Sequence, residues 1–360
     1  MIDPHVHLRD WAQSAKETLR HGIELAWNCG VDAVFDMPNT EPPLVDRATV
    51  ESRLFEAERI VGALGMPFHY GVFCGATPDY ERLEELVELY HGERLGRNGR
   101  NVGVVGFKLY AGPSTGRLAA EEPEVQRAIY RHLSALEYAG VVCVHCEKSS
   151  LFRHRNDGSL DWDPLRPRSF AGARPPEAEV ASVREQIDAA RAAGFGGTLH
   201  IAHVSVPESV RLIEDARADV GFRISCEVAP HHALFSERAL DGTEGAEGIL
   251  FKTNPPLRPE QMRSELFGQL LEGRIDFVAS DHAPHPLEDN RSRYASGIPG
   301  LGMMHRFRDR LEAEGVAPRL LDRLFHGGAE EIYGVEISRN AIVSRPHAQL
   351  DYEANPYVIE

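Results

Sequence analysis

No stretch of this 360-residue chain approaches the apolar length of a membrane-spanning helix, which needs roughly 20 residues. The N-terminus also lacks the basic start and apolar run of a secretory signal, so a cytoplasmic location is the expectation. Cysteine is scarce, and Cys29, Cys74, Cys143, Cys146 and Cys226 are too scattered for a disulfide framework. Cys143 and Cys146 form a Cys-x-x-Cys inside the strand-like run "GVVCVHCEK", whereas a redox pair uses a helix N-terminus to stabilise its thiolate. Positive charge is in deficit too, with 39 Lys and Arg against 55 Asp and Glu and a formal net charge of −16. Phosphate binding needs a concentrated basic face, which excludes a nucleic-acid surface. Internal repeats, low-complexity tracts and a recognisable linker are missing as well.

What is present is an ordinary globular composition, 42% hydrophobic and 26% charged. The length suits two domains of about 150 residues or one α/β barrel of about 250 or more. Short β-branched and aromatic runs alternate with amphipathic stretches, the pattern of βα units around a parallel sheet. The candidate strands are "MIDPHVHL", "VDAVFDMP", "FHYGVFC", "VVGFKLYA", "VVCVHCE", "LHIAHVS", "RISCEVAPHH" and "DFVASDHAP". Helical runs cover 14–30, with Ser14 as N-cap and Gly30 as stop, then 46–64, 79–90, 122–139, 176–193, 207–217, 259–271 and 303–314. This alternation predicts a (β/α)8 TIM barrel. The long connections after strands five and eight lie on the face where such barrels build sites, and read as lids or substrate loops.

Strands of a parallel sheet are apolar on both faces, so ionisable residues near their C-terminal ends need a reason. Here they are His5 and His7 on the first strand, Lys108 on the fourth, His145 on the fifth, His203 on the sixth, Glu227 and His231 on the seventh and Asp281 on the eighth. Two apart on a strand, His5 and His7 project from one face with Cα atoms about 6.6 Å apart, so both rings can reach one cation. His145 or His203 alone reads more simply as a hydrogen-bonded core histidine. A buried carboxylate at Asp281 must be paired, protonated or bound to a cation. Four histidines and an aspartate converging on one barrel mouth point to a metal site. Lys108 as an ammonium would be repelled by cations, but an unprotonated lysine can take up carbon dioxide to form a carbamate that bridges two of them. The plain alternative is a snorkelling or salt-bridged lysine. Cys146, Glu147, His200 and Glu227 read as structural or supporting groups, and the adjacent His231 and His232 cannot both face the barrel axis.

The segments "DPHVHLRD", "MPNTEPP", "GFKLYAG", "VHCE", "RPPEAE", "IAHVS", "PHHALF", "NPPLR" and "SDHAPH" resemble, in order, those of the dihydroorotase family of the amidohydrolase superfamily. The resemblance implies two zinc ions per chain. His5, His7 and Asp281 would hold the more buried ion and His145 and His203 the other, with carboxylated Lys108 and a hydroxide bridging them. It further implies that Arg9 pairs with the carboxylate of dihydroorotate, helped by Asn39 and His285, and that Asn254 faces the pyrimidine ring. Hydroxide attack on the ring amide, with Asp281 shuttling the proton, would give N-carbamoyl-aspartate; ring closure is the direction of pyrimidine biosynthesis.

Hydantoinases and dihydropyrimidinases share the metal ligands but act on rings without a carboxylate, and allantoinase is a closer rival. A third reading is a non-catalytic dihydroorotase-like subunit that supports aspartate transcarbamoylase, against which stands the filled ligand set. The expected partner is a small-molecule substrate, with a homodimer and an aspartate transcarbamoylase partner left open. The expected layout is a barrel over 1–335 and a short tail over 336–360, with the family's accessory β-sandwich reduced or absent. Asp10-Trp11 after Arg9, and Gly302 in "SGIPGLGMM", depart from the family pattern in loops rather than ligands.

Overall fold

The computed structural model describes residues 1–114, 118–243, 246–339 and 352–357. Its strands are β1 (Ile2–Val6), β2 (Ala33–Asp36), β3 (His69–Gly75), β4 (Val102–Tyr110), β5 (Val141–His145), β6 (Thr198–Ile201), β7 (Arg223–Val228) and β8 (Phe277–Val278). They pair in parallel in chain order, and a bridge between Val6 and His282 brings the chain beyond β8 back to β1, nearly closing a (β/α)8 barrel. The helices packed outside are α1 (Leu19–Asn28), α2 (Arg47–Leu64), α3 (Tyr80–Glu93), α4 (Pro123–Ala135), α5 (Pro176–Ala192), α6 (Pro207–Arg217), α7 (Glu260–Leu271) and α8 (Met303–Ala313). Among the described residues, no helix is long and apolar enough to cross a membrane. The tail expected over 336–360 is described at 336–339 and 352–357, which contain no strand; the rest of it, where a sandwich remnant would fall, lies outside the described residues.

Local chemistry sets the element ends. Asp46 caps α2 by accepting from Thr49 N, and Gly65 closes it in the left-handed conformation. The N-cap expected at Ser14 is instead Thr18, which accepts from His21 N. Asp10 explains the shift: its carboxylate takes the Trp11 and Leu19 amides, and this organises residues 11–13 as a short 3-10 turn before α1 begins. The expected seventh strand also ends early, because Pro230–Leu234 form a short helix carrying His231 and His232.

Two layers of core result. Val34, Val72, Leu109 and Val144 face the helices, while Ile2, Phe35, Phe73, Val105, Val141 and Phe277 fill the barrel. Tyr333, on the last helix (Gly328–Tyr333), plugs the lower end against Phe35 and Phe73, with ring centroids 4.8 and 5.8 Å away. The register slips by one residue between Asp3 and Val6 on β1, and between Val72 and Phe73 at the β3–β4 pair. Such bulges re-aim side chains. Ile2 and Val105 therefore face inward, and so do His5 and Lys108 three residues later.

At the top of β2 the Asp36 carboxylate holds the chain leaving β1, since Oδ1 accepts from Leu8 N at 2.9 Å while Oδ2 pairs with buried Arg53 Nη2 at 2.6 Å and accepts from Tyr70. Asp36→Ala would strand the Arg53 cation, and the expected loss is about 3–5 kcal/mol of unfolding free energy in urea titration. A loss below about 1 kcal/mol would mean that Asp10, 4.0 Å from Arg53, replaces it.

Candidate metal and active site

The upper ends of the strands surround a narrow cavity lined by His5, His7, Arg9, Asn39, Lys108 and His203, with Tyr110, Asn254 and Asp281 among the other residues of its wall. At its base Asp281 Oδ1 lies 3.4 Å from His5 Nε2 and 3.2 Å from His7 Nε2. One ligand atom from each of these three residues falls within 4.8 Å of the other two. The far nitrogens are already committed: His7 Nδ1 donates to Asn39 Oδ1 at 2.6 Å, and His5 Nδ1 makes a short bond to Glu227 Oε1. A hydrogen bond at Nδ1 fixes the tautomer and leaves the Nε2 lone pair free for a cation. Burial lowers His7 to about 4 and also depresses His145 and His203, so these imidazoles are neutral near pH 7, as ligation requires. Burial alone would raise Asp281, but His5, His7 and His203 hold it well below the usual carboxylate range.

A second group adjoins the first. His145 Nδ1 faces His203 Nε2 at 3.2 Å, and the His203 ring is centred 5.2 Å from that of His5. The outer nitrogen of His145, Nε2, lies 3.2 Å from Glu147 Oε2 without a well-aligned hydrogen bond, and Glu147 is itself clamped by Arg174. Lys108 is 1% exposed, with its ammonium 3.7 Å from Cys143 Sγ and no ion pair among the described residues. Gly112, just after β4, is required by closeness: a Cβ there would sit 2.0 Å from Glu147 O. His203 and Asp281 are both held at positive φ, 34° and 50°, a strain that non-glycine residues accept mainly where function needs a fixed direction.

Not every expected residue lies where the sequence suggested. Asn39 lines the cavity, yet its carbonyl oxygen serves His7. His285 stands behind the wall and reaches the site through Arg9 Nη2, 3.5 Å from its Nε2, and burial together with Arg9 lowers it to about 2. Asn254 lines the cavity, with Oδ1 buried and unpartnered. Arg9 is 1% exposed, with Nε and Nη1 unpartnered and no carboxylate within ion-pair distance among the described residues.

No family model matches the chain. Among curated proteins, the dihydroorotase of Halobacterium salinarum is 33% identical over 317 residues, which covers 85% of this chain and 66% of that protein. The dihydroorotase of Thermococcus kodakarensis is 31% identical over 302 residues, 84% of this chain and 59% of its own length. This chain is a homologue of the dihydroorotases. It spans about two thirds or less of the length of these relatives. Among solved structures, an L-hydantoinase (dihydropyrimidinase) from Arthrobacter aurescens matches with a TM-score of 0.74 at 21% identity, covering 92% of this chain and 70% of that one. A Saccharomyces cerevisiae dihydroorotase in complex with 5-fluoroorotic acid gives 0.70 at 17% identity, covering 93% and 84%. At such identities these structures show the shared fold alone.

The dihydroorotase homologue also has cavity residues that sequence reading passed over. Tyr110 was within reach: it stands two residues after Lys108 on β4, so it shares that residue's face. Ser114, Thr253, Ser296 and Gly297 come from loops, where no periodicity marks them. Glu227 carries the support, since it accepts from His5, from His200 Nε2 at 3.0 Å and from His203 N at 3.2 Å. Glu227→Ala is expected to speed chelator-driven metal loss about 10- to 100-fold. An unchanged release rate would show that the strand alone holds His5.

Proposed function

We propose that this chain is a metal-dependent cyclic amidohydrolase, a dihydroorotase that interconverts (S)-dihydroorotate and N-carbamoyl-L-aspartate. The observation that carries the choice of substrate is Arg9. A guanidinium buried in a cavity wall without a carboxylate partner is costly unless the ligand brings the anion. Dihydroorotate has a ring carboxylate for it, whereas dihydrouracil, hydantoin and allantoin have none. The curated relatives named dihydroorotase support the same reading.

The donor set fits two zinc ions. His5, His7 and Asp281 would hold one and His145 and His203 the other, because their free nitrogens and the Asp281 oxygen already converge. Carboxylation would give Lys108, buried and without an ion pair among the described residues, a carboxylate that could serve as a further ligand. When bound, the metals supply Lewis acidity toward the ring carbonyl and a water deprotonated near neutral pH.

The remaining steps belong to the chain. Arg9 would take the substrate carboxylate as a fork-shaped pair, with His285 at its back. Asn254 Oδ1, unpartnered in the wall, would accept from a ring N–H. Water adds to the ring amide carbon; Asp281, kept ionised, accepts the proton of the attacking water and returns it to the leaving ring nitrogen. The C–N bond then breaks, giving a carbamoyl NH2 and a carboxyl group whose remaining proton is lost to solvent. In ring closure the same groups act in reverse.

Purified protein should hold about two zinc ions per chain and, among dihydroorotate, allantoin, dihydrouracil and hydantoin, turn over dihydroorotate best. A preference for a ring lacking the carboxylate would sink the assignment. Arg9→Met should lower kcat/KM for dihydroorotate by about a hundredfold or more while leaving zinc content unchanged. Undiminished turnover by that variant would mean that another group receives the carboxylate.

A further inference from the structure

Asp281 combines three burdens: a positive φ, a place between His5 and His7, and, on the reading above, the proton transfer. The short strand before it, β8, ends at Val278 and gives it little support. The next residue does more. His282 O accepts from His7 N at 2.8 Å, His282 N donates to Ser280 Oγ at 3.0 Å, and the residue bridges Val6 on one side and Ile298 on the other. Its ring is fixed as well. Leu301 N points at Nδ1, 3.3 Å away, which leaves the proton on Nε2 to donate to Glu17 Oε2 at 2.8 Å.

Glu17 is therefore the anchor of the Asp281 backbone, and it is a fully buried carboxylate drawn from the loop after β1. Its second oxygen, Oε1, accepts from His21 Nδ1 at 2.8 Å and from the Tyr352 hydroxyl. Burial alone would raise it, but His282, His21 and Tyr352 lower it to about 2, so it is ionised. Tyr352 comes from a segment far along the chain. The Tyr352 hydroxyl also lies 3.3 Å from His282 Nε2, and its ring meets the edges of His282 and His21 at 5.5 and 5.8 Å. The segment continues across the barrel mouth. Ala354 is buried against Ile249 and Leu250 of the loop after β7, and Tyr357 against Ile298 of the loop after β8 and Met303 at the start of α8.

We propose that Tyr352 is a positioning residue for Asp281, acting through Glu17 and His282, and that residues 352–357 strap together the loops after β1, β7 and β8. The site then depends on a residue that touches neither metal nor substrate. Its hydroxyl fixes the carboxylate, the carboxylate fixes the His282 ring, and that ring fixes the backbone that aims Asp281. The catalytic part rests on the dihydroorotase reading; the geometric part does not.

The test is Tyr352→Phe in the full chain, which removes one hydroxyl and keeps the ring packing. A hydrogen bond to a charged acceptor is lost, so kcat for dihydroorotate should fall about tenfold with KM nearly unchanged, and zinc loss to a chelator should accelerate by a similar factor. The melting temperature should move little. Glu17→Gln should reproduce both effects, and the double variant should be no worse than Glu17→Gln alone, because the two changes cut one chain of contacts. Unchanged kcat and unchanged zinc release would overturn the proposal, as would additive losses in the double variant. A fall in melting temperature with no change in zinc release would reduce Tyr352 to packing. Should the native chain fail to turn over dihydroorotate, zinc release alone decides, and the two readings fall separately.

Discussion

The Glu227 carboxylate is the contact on which the rest of the site depends. Buried at the end of β7, it takes a hydrogen from His5 on β1, from His200 on β6 and from the amide of His203 just beyond β6. Burial alone would keep such a group protonated; the two histidines outweigh it and lower it to about 2. One anion thus joins neighbours on both sides of the barrel seam, sets the tautomer of a ligand-ready histidine and restrains the strained backbone of another. Without it, the Nε2 of His5 would have no reason to face Asp281 rather than rotate away.

Around that anchor the structure repeats one device. Several groups at the site are held from behind by a buried polar partner: His7 by Asn39 and Asp281 by the His282–Glu17–Tyr352 chain, while Glu147, clamped by Arg174, stands beside His145. Buried polar networks are costly when incomplete and rigid when satisfied. Arg9 Nε and Nη1 and Asn254 Oδ1 are exceptions, and they are the atoms that a bound acidic ring would complete.

Much of this was legible from residue order. The alternation of β-branched and amphipathic runs placed eight strands and the packed helices, because each hydrophobic period is local, though the seventh and eighth strands end four and six residues earlier than expected. His5 and His7 could be placed on one face by spacing alone. The register slips on β1 and at the β3–β4 pair could not be read, since they depend on which strand lies alongside. Asn39 shows a different gap: its motif marked it as important, but only the fold reveals that its oxygen is spent on His7. The role of Tyr352 was invisible for the same reason, as it sits 335 residues from Glu17 and belongs to no periodic element.

Tyr333 closes the lower end of the barrel with aromatic rings packed edge to face. Among the described residues, that packing leaves the upper mouth as the way into the cavity. On the dihydroorotase reading, a molecule lodged there would obstruct ring opening and ring closure alike.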